Sequence, residues 1–285
     1  MKILITGADG SIGGRLLRAM TDQGHTTVGT DIGNVDITDF NAVIAQVDAV
    51  QPDMVIHCAA LTNVDLCAQQ PELALRVNAI GTQNMALACA RSGASLCYVS
   101  TNEVFDGQRG TAYLEYDPPH PINPYGYSKW VGEQMVREAL PNHFIVRTSW
   151  VFAHGGMNFL QKIVQRAAAG QPLSVVTNEV ACPTYAEDFV EALTALLATG
   201  RYGTYHLTNE GHVSRFDFAR YILDCYGYAD VPITRMISAQ YSRPSRPPEY
   251  SALSNFIAAH MGIRLRPWRE AVLAFVEREK ASELG

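Results

Sequence analysis

"KILITGADGSIGGRLLRAM", residues 2–20, begins as an apolar run, breaks into glycines and resumes with helical spacing. Gly7, Gly10 and Gly13 form G-x-x-G-x-x-G at that junction. One such glycine permits a tight turn, one lets the backbone approach a pyrophosphate, and one lets helix and strand pack closely. The first amides of the helix then face an anion. A glycine pattern alone is weak evidence. Here a strand precedes it, a helix follows it, and Asp31 closes the next apolar run, "TTVGTD". Gly7, Gly10, Ser11, Ile12 and Gly13 are therefore expected to bind a dinucleotide, with Asp31 accepting from a ribose 2′-hydroxyl.

Outward from this stretch, short apolar runs alternate with helical segments: "FNAVIAQVDAV", "DMVIHCAA", "PELALRVNAIGTQNMALACARSG", "SLCYVST", "SKWVGEQMVREAL" and "HFIVRTSW". That alternation predicts right-handed βαβ units, and continuous apolar strands predict a parallel sheet covered on both faces. After Trp150 the rhythm loosens, though Ser214 with Asp217 three residues on marks a helix start. The expected fold is α/β: a Rossmann-type doubly wound parallel sheet with a smaller C-terminal α/β substrate lobe. Residues 1–155 are expected to bind the dinucleotide and 156–285 mainly the substrate. The helix and strand near 185–208 are expected to pack back on the first part.

With 47% hydrophobic and 18% charged residues, the 285-residue chain reads as an ordinary globular protein. A net charge of −6 and the absence of a Lys/Arg cluster argue against nucleic acid. No apolar run reaches membrane length, and the N-terminal stretch, which runs straight into a strand, is not expected to be a signal peptide. Six cysteines without a C-x-x-C read as reduced thiols of a cytoplasmic protein, and no Cys/His spacing suggests a metal.

Between Ala19 and Leu75 there is no Lys or Arg, against eight Asp/Glu. A 2′-phosphate needs a cation, so NADH is favoured over NADPH. Arg15 and Arg18 are the only candidates nearby, and their plain reading is a solvated helix face.

Tyr125 and Lys129, in "NPYGYSKW", stand one helical turn apart and share a face. A tyrosine with a pKa near ~10 is a poor acid at neutral pH, and an adjacent ammonium would lower it. Together with the glycine turn and the "VST" strand end, the pair points to proton transfer coupled to nicotinamide chemistry.

At this point the chain resembles the extended short-chain dehydrogenase/reductases and, among them, the dTDP-4-dehydrorhamnose reductase family. "GADGSIGG", "VSTNEVFDG", "NPYGYSKWVGE", "RTSWVF", "CPTYAEDF" and "RPPEYSAL" carry the likeness over nearly the whole length. The resemblance implies Tyr125 as proton donor to a ketone oxygen and Lys129 as ligand of the nicotinamide ribose. It implies Thr101 as a second hydrogen-bond donor to that oxygen, and Ala59, Ala60 and Leu61 as cofactor contacts. Trp150 would lie against a nucleotide-sugar substrate. For Arg246 it leaves two readings, a contact to the substrate diphosphate or an arginine that holds its loop. A homodimer is one assembly it allows.

Asn102 and Glu103 depart from the family, which usually has Asp then Tyr there. Related dehydratases carry Thr-Asp-Glu, so Glu103 matches them and Asn102 does not. An amide has no acidic proton to give. The expectation is therefore an NAD(P)H-dependent reductase of a nucleotide-linked 4-keto-6-deoxy sugar, with Asn102 and Glu103 as substrate contacts. An NAD-recycling epimerase or dehydratase and a non-catalytic dinucleotide-binding regulatory subunit are the alternatives.

Overall fold

The computed structural model describes residues 1–283. The first half runs β1 (Lys2–Thr6), α1 (Gly13–Asp22), β2 (Thr26–Thr30), α2 (Phe40–Val50) and β3 (Met54–His57). There follow α3 (Val64–Gln69), α4 (Pro71–Leu75), a π-turn at Arg76–Ile80 and α5 (Gly81–Ser92). Then come β4 (Ser95–Thr101), α6 (Pro124–Ala139) and β5 (His143–Thr148). The second half holds β6 (Val151–Phe152), α7 (Phe159–Ala168), β7 (Leu173–Val176), β8 (Val180–Ala181) and β9 (Thr184–Tyr185). It continues with α8 (Ala186–Ala198), β10 (Gly203–His206), β11 (Val213–Ser214) and α9 (Arg215–Cys225). It ends with β12 (Ile233–Met236), α10 (Phe256–His260) and α11 (Trp268–Glu283).

Six strands form one sheet in the order β10-β5-β4-β3-β1-β2, every neighbouring pair parallel. Alternate residues of each strand serve opposite faces. Ile3, Ile5, Ile56, Val99 and Val146 pack against α1 and α8, whose Leu16, Phe189 and Leu193 are fully buried. Leu4, Val55, Leu96, Tyr98 and Ile145 pack against α2, α5 and α6. Both faces are apolar, which is why the strands read as unbroken hydrophobic runs. Truncating one of these side chains, for example Ile56→Ala, would cost about 2–5 kcal/mol.

From the second half, β10 joins the main sheet beside β5, with Tyr205 opposite Val146. The remainder packs around separate cores: Phe152, Leu160, Phe218, Trp268 and Phe275 in one, Ile163, Leu173, Val175 and Leu223 in another. Three two-stranded pairings (β6 with β9, β7 with β12, β8 with β11) tie its loops together.

The strand order reverses between β1 and β3: the chain goes outward from β1 to β2, then returns to β3 on the other side. A crevice opens at the carboxyl ends of the strands at such a point. Among the described residues no helix is long and apolar enough to cross a membrane.

Candidate active site

A cavity of about 1090 Å³ lies along the carboxyl ends of β1, β3, β4 and β5. Gly7 has φ +68°, and a Cβ there would meet the amide nitrogen of Ala59 at 2.8 Å. At Gly13 a Cβ would stand 2.1 Å from the Gly7 carbonyl oxygen. Turn, strand β3 and helix α1 thus meet too closely for side chains, and their backbone forms the cavity wall. Asp31 follows β2 and accepts from the Asp9 amide at 3.0 Å through one carboxylate oxygen. The buried residues Thr30, Thr148 and Ser149 line the cavity, and their hydroxyls have no hydrogen-bond partner among the described residues. Backbone bared by glycine and unused hydroxyls together fit a polar, phosphate-bearing cofactor.

The loop after β3 forms the opposite wall. Asn78, in the π-turn, accepts from Leu61 N at 2.7 Å and donates to Leu61 O at 3.0 Å. Its amide also donates to Ser128 Oγ of α6 at 3.0 Å. One buried side chain therefore fixes Leu61 and couples it to the helix of Tyr125. His57 is pinned between Thr6 and Thr82. Burial first, then the Lys129 charge, brings its pKa down to about 3, so it is neutral.

Helix α6 starts at Pro124, with Asn123 capping the Gly126 amide at 2.8 Å. Gly126 lets this helix touch the turn after β4, since a Cβ there would lie 2.0 Å from the Glu103 carbonyl oxygen. At the far end Glu133 accepts from Arg147 of β5 at 2.7 and 2.8 Å and from Ser100 of β4 at 2.7 Å. Burial alone would raise the Glu133 pKa, but Arg147, Arg137 and Ser100 pull it to about 2. Between these anchors Tyr125 and Lys129 both line the cavity.

Lys129 is buried; its Nζ donates to Val99 O at 2.8 Å and lies 4.1 Å from the centre of the Tyr98 ring. Burial lowers its pKa to about 7. The Tyr125 phenol behaves contrary to expectation. Burial and then the Glu103 charge push its pKa well up, with the hydrogen bond to Thr101 opposing them. The Lys129 ammonium is bonded to the Val99 carbonyl of the inner strand β4, and burial of the phenol is the largest influence on it.

Thr101 ends β4 and accepts from Glu103 N at 3.2 Å, opening a 3₁₀ turn at Asn102–Val104. Asn102 is buried, and its amide donates to Ser251 Oγ at 2.6 Å. Glu103 accepts from Asn123 Nδ2 at 2.7 Å. Burial raises its pKa to about 7, Asn123 and Arg243 opposing and Glu179 reinforcing the shift. Both residues also line a smaller cavity of about 140 Å³ with Trp150, Arg215, Arg243 and Ser245.

Trp150 has φ +40°, uncommon for a bulky residue, at the turn from β5 into β6. The Arg215 guanidinium lies 3.4 Å from its ring centre and 4.8 Å from that of Phe159.

Every candidate site residue except Arg246 lines the larger cavity. Arg246 is exposed and belongs to neither cavity; its carbonyl accepts from Asn123, while Arg243 three residues earlier lines the smaller one. Arg15 is also not on a solvated face: it is paired with Glu187 at 2.9 Å and donates to the carbonyls of Ser11 and His154. Arg215, Lys162, Asn158 and Phe159 of the second half line the cavity as well. Local spacing gave no cue to them, since they meet the site only through the packing of α7 and α9. Arg243 could have been found, since it shares a Pro-rich loop with Arg246.

The chain is 39% identical over 275 residues to a dTDP-4-dehydrorhamnose reductase of Mycolicibacterium smegmatis, covering 95% of this chain and 84% of that one. It is 34% identical to the spore coat polysaccharide biosynthesis protein SpsK of Bacillus subtilis, covering 99% of both. The crystal structure of dTDP-4-dehydrorhamnose reductase from Bacillus anthracis in complex with NADP superposes with a TM-score of 0.92 at 35% identity, over 97% of this chain and 99% of that one. A UDP-glucose 4-epimerase of Thermus thermophilus in complex with NAD shares the fold at 22% identity, with a TM-score of 0.83 and coverage of 97% and 98%. The model of the RmlD substrate-binding domain matches residues 1–281, and the chain belongs to that family.

Proposed function

We propose that this protein is an NAD(P)H-dependent reductase of a nucleotide-linked 4-keto-6-deoxy sugar, of the dTDP-4-dehydrorhamnose reductase type. The convergence of Thr101, Tyr125 and Lys129 on one cavity with the glycine turn carries the reading. The names of the relatives over almost the full chain support it. A reduced dinucleotide, its pyrophosphate held at the glycine turn, would supply the hydride. The main-chain amides of the turn, Asp31 and the loop Ala59–Leu61 hold the cofactor, and Lys129 serves its nicotinamide ribose. Thr101 and Tyr125 share the ketone oxygen, and Tyr125 gives that oxygen its proton. Burial keeps the phenol protonated and makes it a weaker acid, so its proton passes only as the far more basic alkoxide develops beside it. Trp150 and the loop with Arg243 and Ser245 bind the nucleotide sugar. Residues 1–155 mainly serve the cofactor and 156–285 mainly the substrate, a division supported by the lobe residues that close the cavity.

We further infer NADH preference. Asp31 lines the cavity, where its carboxylate would repel a 2′-phosphate, and Arg15 is committed to Glu187 and two carbonyls. All six cysteines are unpaired, which fits a reducing compartment such as the cytoplasm. A panel of nucleotide 4-keto sugars assayed for NADH oxidation tests the function. Consumption of one NADH per sugar supports it; turnover of a sugar without net NADH loss would favour an epimerase.

A further inference from the structure

The two ends of the site are joined by one carboxylate that takes no part in hydride or proton transfer. Asp65 stands in the first turn of α3, the helix that the chain enters from the loop Ala59–Leu61 through Thr62 and Asn63. That loop is held at both ends: the Ala59 amide donates to Thr6 Oγ1 at 3.2 Å, and Asn78 grips Leu61. Asn63 then caps α3 by accepting from the Leu66 amide at 3.0 Å. From this braced start Asp65 Oδ1 accepts from the Ser245 backbone amide at 3.2 Å and from the Ser245 hydroxyl, across 180 residues of sequence. Ser245 is only 3% exposed, although Pro244 and Arg246 on either side of it are exposed. Leu61 and Val64 line the larger cavity, and Val64, Asp65, Arg243 and Ser245 line the smaller. The clasp therefore sits where the loop assigned to the cofactor meets the loop assigned to the nucleotide sugar.

We propose that Asp65 is a positioning residue that makes the dinucleotide and the nucleotide sugar bind cooperatively, with its clasp on Ser245 as the link. The nature of the second ligand rests on the reductase reading above. Pro244, Pro247 and Pro248 stiffen the loop around Ser245. A hold on Ser245 thus also places Pro248 and Arg243, whose guanidinium bonds Glu179 at 2.9 Å, at the smaller cavity. Settling a loop in one conformation costs chain entropy. A dinucleotide that settles Ala59–Leu61 settles Asp65 and, through the clasp, the loop of Ser245. A nucleotide sugar that settles the loop of Ser245 acts in the opposite direction. Whichever ligand binds first bears the entropy cost of fixing both walls, and the second meets a wall already fixed. By linkage the gain in affinity is the same for either ligand.

Isothermal titration calorimetry with NADH and dTDP-L-rhamnose tests the link, since a reduced cofactor and a reduced sugar cannot react with each other. In the wild type each ligand should lower the Kd of the other by the same factor, about fivefold or more. In Asp65→Ala that factor should fall to about one, with the Kd of NADH alone nearly unchanged. Asp65→Asn keeps an acceptor oxygen for Ser245 and should keep most of the coupling. Loss of a purely structural contact would instead lower Tm or both affinities and leave the factor intact. If Asp65→Ala does not fold, Ser245→Ala, which removes the hydroxyl's bond and leaves the amide's, should lower the factor part of the way. Independent binding in the wild type, an unchanged factor in the alanine variant, or a factor lost in Asp65→Asn would overturn the proposal and leave the reductase reading standing. A wild type that binds NADH but not the nucleotide sugar would overturn both.

Discussion

Asn102 donates its side-chain amide to Ser251 Oγ at 2.6 Å, across 149 residues of sequence. The turn that follows the catalytic-type threonine is thereby tied to the Pro-rich loop at the smaller cavity. Asn102→Ala leaves Ser251 with one partner fewer in a buried site, a loss of about 1–3 kcal/mol. In a double-mutant cycle with Ser251→Ala, denaturant unfolding should show a coupling of about 0.5–3 kcal/mol. Additive effects would mean the bond is energetically idle.

The same amide bears on chemistry. Wild-type protein given dTDP-glucose and NAD should form no 4-keto-6-deoxy product, because no acid stands at position 102 to protonate a departing hydroxyl. Asn102→Asp should yield at most a trace, since the carboxylate replaces an amide already directed at Ser251. Product analysis by mass spectrometry checks both, and efficient dehydration by the wild type would refute the role given to Asn102.

Tyr125→Phe should lower the reduction rate by roughly 10²–10⁴ while leaving cofactor affinity nearly unchanged, as expected for loss of a positioned general acid. Lys129→Ala should weaken cofactor binding and rate together, because the buried ammonium bonds the Val99 carbonyl of β4 and lines the cofactor cavity. Fluorescence titration with NADH and steady-state rates separate the cases. Near-normal turnover of the phenylalanine variant would remove Tyr125 from the mechanism.

Glu133 anchors α6 through Arg147 and Ser100. Its folded pKa, about 2, lies below the ordinary 4.5. The unfolded chain therefore binds the proton more readily, and the stabilisation is full above about 4.5 and lost as the pH falls toward 2. Glu133→Gln leaves the buried Arg147 charge uncompensated and should cost about 3–5 kcal/mol at pH 7. The deficit should shrink when unfolding is measured at pH 3. A pH-independent difference would show that packing, not the ion pair, is what the substitution removes.

The ratio of kcat/KM for NADH to that for NADPH should exceed one, and Asp31→Ala should lower it. Asp31 also holds the Asp9 amide, so both cofactors should lose some affinity. A wild type that prefers NADPH would require a cation to replace the committed Arg15.

Much of the site was legible because its residues lie on motifs with local geometry: glycines between strand and helix, and Tyr125 and Lys129 a helical turn apart. The fold was legible for a similar reason, since a sheet covered on both faces leaves unbroken apolar runs. Asn78 escaped notice because its task is to clamp Leu61 from a π-turn, which no short pattern announces. Arg215 and Lys162 reach the cavity only through the tertiary packing of α7 and α9. The tyrosine was misjudged in one respect: spacing shows that Lys129 is near, but only the structure reveals that its ammonium turns to Val99 and that burial prevails.

The most direct measurement follows the label from NADH deuterated at the transferable position, with a dTDP-linked 4-keto-6-deoxy sugar as acceptor. The account predicts one deuterium at C4 of the product sugar for each NADH consumed, with transfer nearly abolished in Tyr125→Phe. Product without label, or label transferred equally well by the phenylalanine variant, would contradict it.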